Sequence, residues 1–164
     1  FAYELYKTKP DIMTMAKALG GGVAIGAMAS TNRVMKSFVP GTHAATFGGN
    51  PLACSAALAS LKVITGKTFL NKVTATGIYF LKRLQEIARK NPIIKEARGA
   101  GMFLALELNQ PGHEIVIDCM KQGFLINCIQ QNVLRFIPPL TISRQDIDSL
   151  ISVLSDSLTK LNDK

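Results

Sequence analysis

The chain has 164 residues, of which 48% are hydrophobic and 18% charged, a balance that excludes a disordered chain. Its length fits one ordinary domain or pieces of two. The net charge is +8, from 19 Lys and Arg against 11 Asp and Glu, but the cations are dispersed and form no basic tract. We therefore expect a solvated surface and no nucleic-acid partner. A basic module that binds anions or nucleic acid is an alternative that rests on the net charge alone.

Apolar runs and cysteines bear on where the protein is found. No apolar run reaches the roughly 18 residues that a membrane span needs, so we expect no membrane contact. The chain begins at Phe1 without a signal-like segment, and it can be a fragment of a longer protein. Cys54, Cys119 and Cys128 show no paired spacing. They predict three buried, reduced thiols in a cytoplasmic protein.

The first third of the chain predicts two strands around a glycine turn. Apolar runs at residues 11–16 and 23–30 have strand length and are separated by Gly20, Gly21 and Gly22. Both strands are expected to be buried. Residues 32–38 predict a short helix, which Pro40 and Gly41 end.

A better-defined helix follows the loop at residues 41–49. Asn50 is a favoured N-cap residue, and Pro51 is favoured at the first helical position. The helix is expected to end near Ile64, and its small residues predict close packing against another element. Residues 1–66 thus predict part of an α/β layer with too few strands to close its own core.

Residues 67–164 predict a small α+β unit that can fold alone. The predicted helices cover residues 69–90, 112–122 and a stretch after a capping box at 143–146; the predicted strands cover residues 93–97, 101–108, 124–128 and 132–137. The first helix is expected to bury Ile78, Leu81, Leu84, Ile87 and Ala88. The last helix is expected to bury Ile147, Leu150, Ile151, Leu154, Leu158 and Leu161.

Lys17 is the most unusual residue for chemistry, because it follows an apolar strand and precedes three glycines. Strand ends are where open α/β sheets bind ligands. A lysine in a partly desolvated site loses its proton more easily and becomes an amine nucleophile. Glycines let the backbone and a flat ligand approach closely. A surface lysine beside a glycine turn is the alternative interpretation.

The loop at residues 41–49 is a candidate anion site. Thr42, His43 and Thr46 supply donors, and the loop leads into a helix N-terminus that favours negative charge. An ordinary capped loop is the alternative.

Three other kinds of site are excluded. Thr65–Thr68 looks like the end of a phosphate-binding P-loop, but the required earlier glycine is Leu61. His43 and His113 have no ligand-spaced companions, so no metal is expected. No nucleophile-elbow motif supports serine-hydrolase chemistry.

Arg135 lies in an apolar strand, where an unpaired charge is costly. A carboxylate partner is therefore expected, either from the protein, which the residues alone favour, or from a substrate.

Three segments in order resemble one family over the whole chain: PDIMTMAKALGGGVAIGAM, FVPGTHAATFGGNPLACSAALA and LINCIQQNVLRFIPPLTI. They resemble the class III (ornithine-type) pyridoxal-phosphate aminotransferases, with most similarity to the acetylornithine branch. The resemblance implies a fragment of the type I pyridoxal-phosphate transferase fold, an α/β fold. Residues 1–66 would be the end of the large cofactor domain with its linking helix, and residues 67–164 the small C-terminal domain.

The resemblance also implies residue roles. Lys17 matches the catalytic lysine that binds pyridoxal 5'-phosphate covalently. Thr46 matches the threonine that binds the cofactor phosphate from the partner subunit of a homodimer. Ala45 matches a substrate-contact position where many relatives have Ser, so only a main-chain or packing contact is left. Arg135 matches an arginine associated with an active-site glutamate or a substrate carboxylate. Ala24 departs from the usual proline.

The implied activity is transfer of the terminal amino group of N2-acetylornithine, the amino donor, to 2-oxoglutarate, the 2-oxo acid, in arginine biosynthesis. Ornithine, succinylornithine and 4-aminobutyrate are alternative donors. The acid for the ring nitrogen, the ring-stacking aromatic and the main phosphate-binding segment of the family are absent from this chain. We therefore expect the chain alone to be inactive and its parent to be an enzyme. A non-catalytic fragment or dimerisation module is the alternative of another class.

Overall fold

The computed structural model describes residues 1–162 as a mixed α/β protein. The chain divides into two compact units, Phe1–Gly66 and Lys67–Lys164, called unit 1 and unit 2 below. No helix in the described part of the chain is long and apolar enough to cross a membrane.

Unit 1 is built around a two-stranded antiparallel sheet. Its elements are α1 (Ala2–Leu5), β1 (Ile12–Met15), a 3-10 helix (Lys17–Gly20), β2 (Ala27–Ser30), α2 (Asn32–Met35) and α3 (Pro51–Ile64). Ile12 lies opposite Ser30 and Met15 opposite Ala27, so the 3-10 helix lies in the connection between the two strands.

The two predicted strands of unit 1 form, but they are shorter and more exposed than expected. The predicted strand over residues 23–30 begins only at Ala27, and Ala27, Met28 and Ala29 are exposed. The predicted burial of both strands is therefore wrong. The strands are exposed because they form a sheet of only two strands. The second strand is short because the pairing ends at Met15 opposite Ala27, so residues 23–26 have no partner in β1.

Helix α3 begins and ends as predicted. The Asn50 side-chain oxygen accepts a hydrogen bond from the Ala53 N–H at 3.0 Å, with Pro51 at the first helical position. Ala53 and Ala57 are buried, and α3 packs against the 3-10 helix. A Cβ built on Gly21 would lie 2.5 Å from the Ser60 Oγ atom. The predicted close packing of this small-residue helix is thus confirmed.

Unit 2 is a four-stranded antiparallel sheet with helices. Its elements are α4 (Lys67–Ala88), β3 (Ile94–Ala100), β4 (Phe103–Leu108), α5 (His113–Lys121), β5 (Asn127–Ile129), β6 (Val133–Phe136) and α6 (Arg144–Asn162). The strand order is β3-β4-β6-β5. Leu104, Leu106, Leu134 and Phe136 alternate along β4 and β6 and join the core with residues of the three helices.

Helix α6 follows its predicted pattern closely. The Ser143 and Asp146 side chains cap it reciprocally: the Asp146 N–H donates to Ser143 Oγ at 3.1 Å, and the Ser143 N–H donates to Asp146 Oδ2 at 3.2 Å. The predicted apolar residues are buried, apart from Leu161, which is half-buried. The capping box and the apolar face of α6 are both confirmed.

Helix α4 shows one error in the predicted apolar face. Ile78 is 66% exposed, whereas Leu84 is fully buried and Leu81 packs partly on the core. The buried face is centred on Gly77, Phe80 and Leu84, and Ile78 is turned from it by the helical 100° step after Gly77. Gly77 allows α4 to pack closely against the backbone of Gly101, because a Cβ at position 77 would lie 2.4 Å from the Gly101 carbonyl oxygen.

The segment after α5 departs from its predicted strand. Strand β5 covers only Asn127–Ile129, while Phe124 and Ile126 pack on the core without strand pairing. Gln130 and Gln131, between β5 and β6, form a turn with φ values of 51° and 68°.

The three cysteines are free thiols, but only Cys119 is buried. The expected burial of Cys54 and Cys128 is wrong, because both are half-buried. Burial raises the pKa of Cys119 to about 11.

Candidate functional site

Lys17 lies directly after β1, as the first residue of the 3-10 helix. Its backbone φ is +55°, a left-handed conformation that is rare for residues other than glycine. Such a residue stores on the order of 1–3 kcal/mol of strain, which is typically found at functional sites. The side chain is exposed, so the partial desolvation expected for it is not seen in this chain. Apart from the nearby glycines, no sequence pattern indicated this backbone conformation.

The glycines after Lys17 hold the turn against α3. Gly20 is buried, and Gly21 and Gly22 have φ values of +59° and +113°. The Gly21 N–H donates to the Ala18 carbonyl at 3.1 Å, which closes the turn. The amine of Lys17 is therefore presented from a fixed and tightly packed turn rather than from a free loop.

The loop at residues 41–49 offers fewer free donors than the sequence suggested. The Thr42 hydroxyl donates to the Val39 carbonyl at 2.7 Å, and the Asn50 side chain is used as the helix cap. The Gly48 N–H donates to the Ala45 carbonyl at 3.2 Å. Thr46 is exposed, and within residues 1–162 its hydroxyl has no hydrogen-bond partner. Thr46 is thus the free hydroxyl of this loop.

Arg135 lies on β6, with Ala105 of β4 and Asn127 of β5 as its direct neighbours across the sheet. It is half-buried, and its Nε donates to the Asn127 Oδ1 atom at 3.1 Å. Within residues 1–162 it forms no ion pair. A neutral amide satisfies Nε, and no carboxylate of the described chain pairs with the guanidinium. The carboxylate partner, from the protein or from a substrate, stays a prediction.

A second arginine on the same sheet face holds the nearby acids. Arg98 Nη1 lies 2.8 Å from Glu96 Oε2 and 2.7 Å from Glu107 Oε2. The hydrogen bond from Arg98 is the main cause that lowers the pKa of Glu107. Sequence reasoning missed this cluster, because β3 and β4 come into register only through the sheet.

The predicted site residues divide between the two units. Lys17, Ala45 and Thr46 belong to unit 1, and Arg135 belongs to unit 2. A groove of about 600 Å³ on unit 2 lies between α5 and α6 and is lined by Asp118, Lys121, Asp156 and Lys160 among others. It contains none of the predicted site residues. No cluster of His, Cys, Asp and Glu suited to a metal ion is found in the described part of the chain.

The chain belongs to the class III aminotransferases, whose family model matches residues 1–158. It is 47% identical to the acetylornithine aminotransferase of Methanocaldococcus jannaschii, over 98% of this chain and 40% of that protein. It is 44% identical to the acetylornithine aminotransferase of Caldanaerobacter subterraneus, over 98% of this chain and 41% of that protein.

Solved structures give the same result for the fold. The ornithine aminotransferase of Toxoplasma gondii, in a structure with partial occupancy of pyridoxal phosphate (PLP) at its active site, matches with a TM-score of 0.90 and 32% identity. That match covers 99% of this chain and 39% of the other. The predicted family and α/β fold class are confirmed. The chain spans about 40% of the length of the curated relatives.

The residues of unit 1 fit the cofactor that the family implies. An aldehyde requires a reachable primary amine, which Lys17 supplies from a fixed turn. A phosphate requires donors, and Thr46 has an exposed hydroxyl that no residue of the described chain engages. Gly22 faces open space near Lys17, since a Cβ there would meet no atom within 4 Å, so the backbone at this glycine does not obstruct a flat ring.

Proposed function

We propose that the chain is the C-terminal part of a PLP-dependent aminotransferase that transfers the terminal amino group of N2-acetylornithine to 2-oxoglutarate, a reaction of arginine biosynthesis. One observation carries the chemistry: Lys17 presents an exposed amine from a strained turn at the end of a strand. The 47% and 44% identity to two acetylornithine aminotransferases supports the choice of donor.

We propose that unit 1 is the end of the large cofactor domain and unit 2 the small domain. Unit 1 leaves large apolar side chains exposed, among them Phe47 at 82% and Leu52 at 74%. Further chain of a large domain would cover such side chains. Unit 2 has a continuous core of its own.

Each site residue has a proposed role. When bound, PLP supplies an electron-withdrawing ring that stabilises negative charge on the substrate carbon. Lys17 would hold the cofactor through its Nζ atom. Its amine would accept a proton from the donor carbon that loses the amino group and, in the second half-reaction, would give a proton to the acceptor carbon that gains it. Thr46 would donate its hydroxyl to the cofactor phosphate. Ala45 would offer the substrate a main-chain or packing contact, and Arg135 would bind a substrate carboxylate.

The proposal extends to assembly and location. Thr46 is proposed to act across the interface of a two-fold homodimer, so each site would need both subunits. The three free thiols support a cytoplasmic location.

Ornithine is the second candidate donor. The Toxoplasma gondii structure, an ornithine aminotransferase, covers 99% of this chain at a TM-score of 0.90. Initial rates of the full-length protein with N2-acetylornithine, ornithine, succinylornithine and 4-aminobutyrate separate the candidates. The proposal expects the highest kcat/KM for N2-acetylornithine. A higher value for another donor would transfer the assignment to that donor.

Chemical trapping tests the role of Lys17. The full-length protein is mixed with PLP, reduced with sodium borohydride and digested, and the modified peptide is found by mass spectrometry. The adduct is expected on Lys17 and should disappear in Lys17→Ala. Lys9→Ala, which removes another exposed lysine of unit 1, is the matched control and should keep the adduct. An adduct on a different lysine, or no adduct, would refute the proposed site.

A further inference from the structure

Four residues form one row across the sheet of unit 2. Arg98 of β3 lies opposite Ala105 of β4, Ala105 lies opposite Arg135 of β6, and Arg135 lies opposite Asn127 of β5. Directly opposed residues point to the same face of a sheet. Arg98 and Arg135 are therefore two strands apart, about 10 Å, on one face.

The two arginines of this row have different partners. Arg98 is paired with Glu96 and Glu107, so its charge is balanced inside the protein. Arg135 has the Asn127 amide oxygen on Nε, and within residues 1–162 no carboxylate. An amide oxygen satisfies a donor without neutralising the charge. The charge of Arg135 is therefore left to attract an anion from outside the described chain.

We infer that Asn127 is a positioning residue, which fixes the guanidinium of Arg135 so that only its terminal edge is offered to a substrate carboxylate. A guanidinium can bind a carboxylate along its side edge, through Nε and one Nη, or along its terminal edge, through both Nη atoms. Asn127 occupies Nε, which closes the side edge. The two Nη groups then meet the carboxylate end-on.

The residue at position 127 must be neutral to leave the charge of Arg135 available to a substrate. Because residues 127 and 135 are direct cross-strand neighbours, an acid at position 127 would reach the guanidinium and compete with the substrate. An amide holds the same hydrogen bond without this competition. The inference rests on the proposed function, since it takes Arg135 to be the carboxylate-binding residue.

Binding of glutarate to the full-length PLP-loaded protein tests the inference without relying on turnover. Glutarate is a dicarboxylate of the same length as 2-oxoglutarate, and its Kd is measured by calorimetry. Asn127→Ala is expected to weaken binding about three- to tenfold, the size of one lost hydrogen-bonded coupling. Asn127→Asp is expected to weaken it by more than about tenfold, since the new charge neutralises Arg135.

A double-mutant cycle separates positioning from a general structural effect. In an Arg135→Met background, Asn127→Ala should change the Kd of glutarate no further, because Asn127 acts only through the guanidinium. Ile129→Ala, on the same strand and face but opposite Val133, is the matched control and should leave the Kd unchanged. Circular dichroism and melting temperatures show that each variant is folded.

The outcomes are distinct. An equal effect of Asn127→Ala with and without Arg135, or no effect with Arg135 present, would overturn the inference. Tighter or unchanged binding of glutarate by Asn127→Asp would overturn the claim that residue 127 must be neutral. Failure to transaminate N2-acetylornithine would count against the proposed function instead, since glutarate binding is measured separately.

Discussion

The two units of the chain differ in how they use apolar residues. Unit 2 buries a continuous cluster that includes Phe80, Leu84, Leu106 and Leu154, all at most 1% exposed. In the described chain, unit 1 buries only two hydrophobic side chains, Ala53 and Ala57. Since buried apolar area is the main source of stability, the stability of this chain is concentrated in unit 2.

The candidate chemistry is distributed in the opposite way. Lys17, Ala45 and Thr46 belong to unit 1, where the backbone of Lys17 is strained and most side chains are exposed. Arg135 belongs to unit 2, on a strand whose other face is in the core. Unit 2 thus holds its binding residue on a sheet with its own core, whereas unit 1 packs the backbone turn at Lys17 but leaves its reactive side chains exposed.

The largest expected effect comes from separating the units. Residues 67–164 expressed alone should unfold in one cooperative transition, because their core lies within the unit. Residues 1–66 alone should show no cooperative transition. Thermal and urea unfolding followed by circular dichroism are the measurements. A cooperative transition in residues 1–66 would contradict the comparison.

A matched pair of leucine substitutions measures how much each unit contributes to the stability of the intact chain. Leu154→Ala removes a fully buried side chain of α6 and should lower the free energy of unfolding by about 2–5 kcal/mol. Leu58→Ala removes a side chain of α3 that is 69% exposed and should change it by less than about 0.5 kcal/mol. Urea unfolding of the 1–164 chain measures both. Equal effects would show that α3 is as important to stability as α6.

The smallest expected effect concerns pH and the acid Asp148. The Tyr79 hydroxyl donates to Asp148 Oδ1 at 2.6 Å, and Arg83 Nε lies 2.9 Å from the same oxygen. The hydrogen bond from Tyr79, followed by that from Arg83, lowers the pKa of Asp148. The stabilisation is therefore complete above the unfolded pKa of about 3.9 and is lost as the pH falls through the folded value.

Asp148→Asn should thus be less stable than the wild type at pH 7, and the difference should shrink below about pH 4. The midpoint of urea unfolding, measured from pH 7 to pH 3, checks this. Asp11→Asn in unit 1 is the control, because the Asp11–Arg33 pair is exposed on both sides and should contribute little. A constant difference across the pH range would show that Asp148 acts by another route.

Much of the fold could be predicted from local signals. Asn50 and Pro51 mark the start of α3, and Ser143 with Asp146 marks that of α6, because a capping side chain bonds to a backbone group within its own turn. The family resemblance was likewise carried by continuous segments. The residues of the candidate site were thus named from the sequence, but their surroundings were not.

The helix starts, the apolar face of α6 and membership of the family were predictable from the amino-acid sequence, since these depend on residues close together along the chain. The exposure of Ile78, the left-handed backbone of Lys17 and the hydrogen bond from Arg135 to the Asn127 amide could be read only from the folded chain. Burial, backbone strain and charge pairing depend on neighbours from distant segments. Their register is set only when the sheet and its helices assemble.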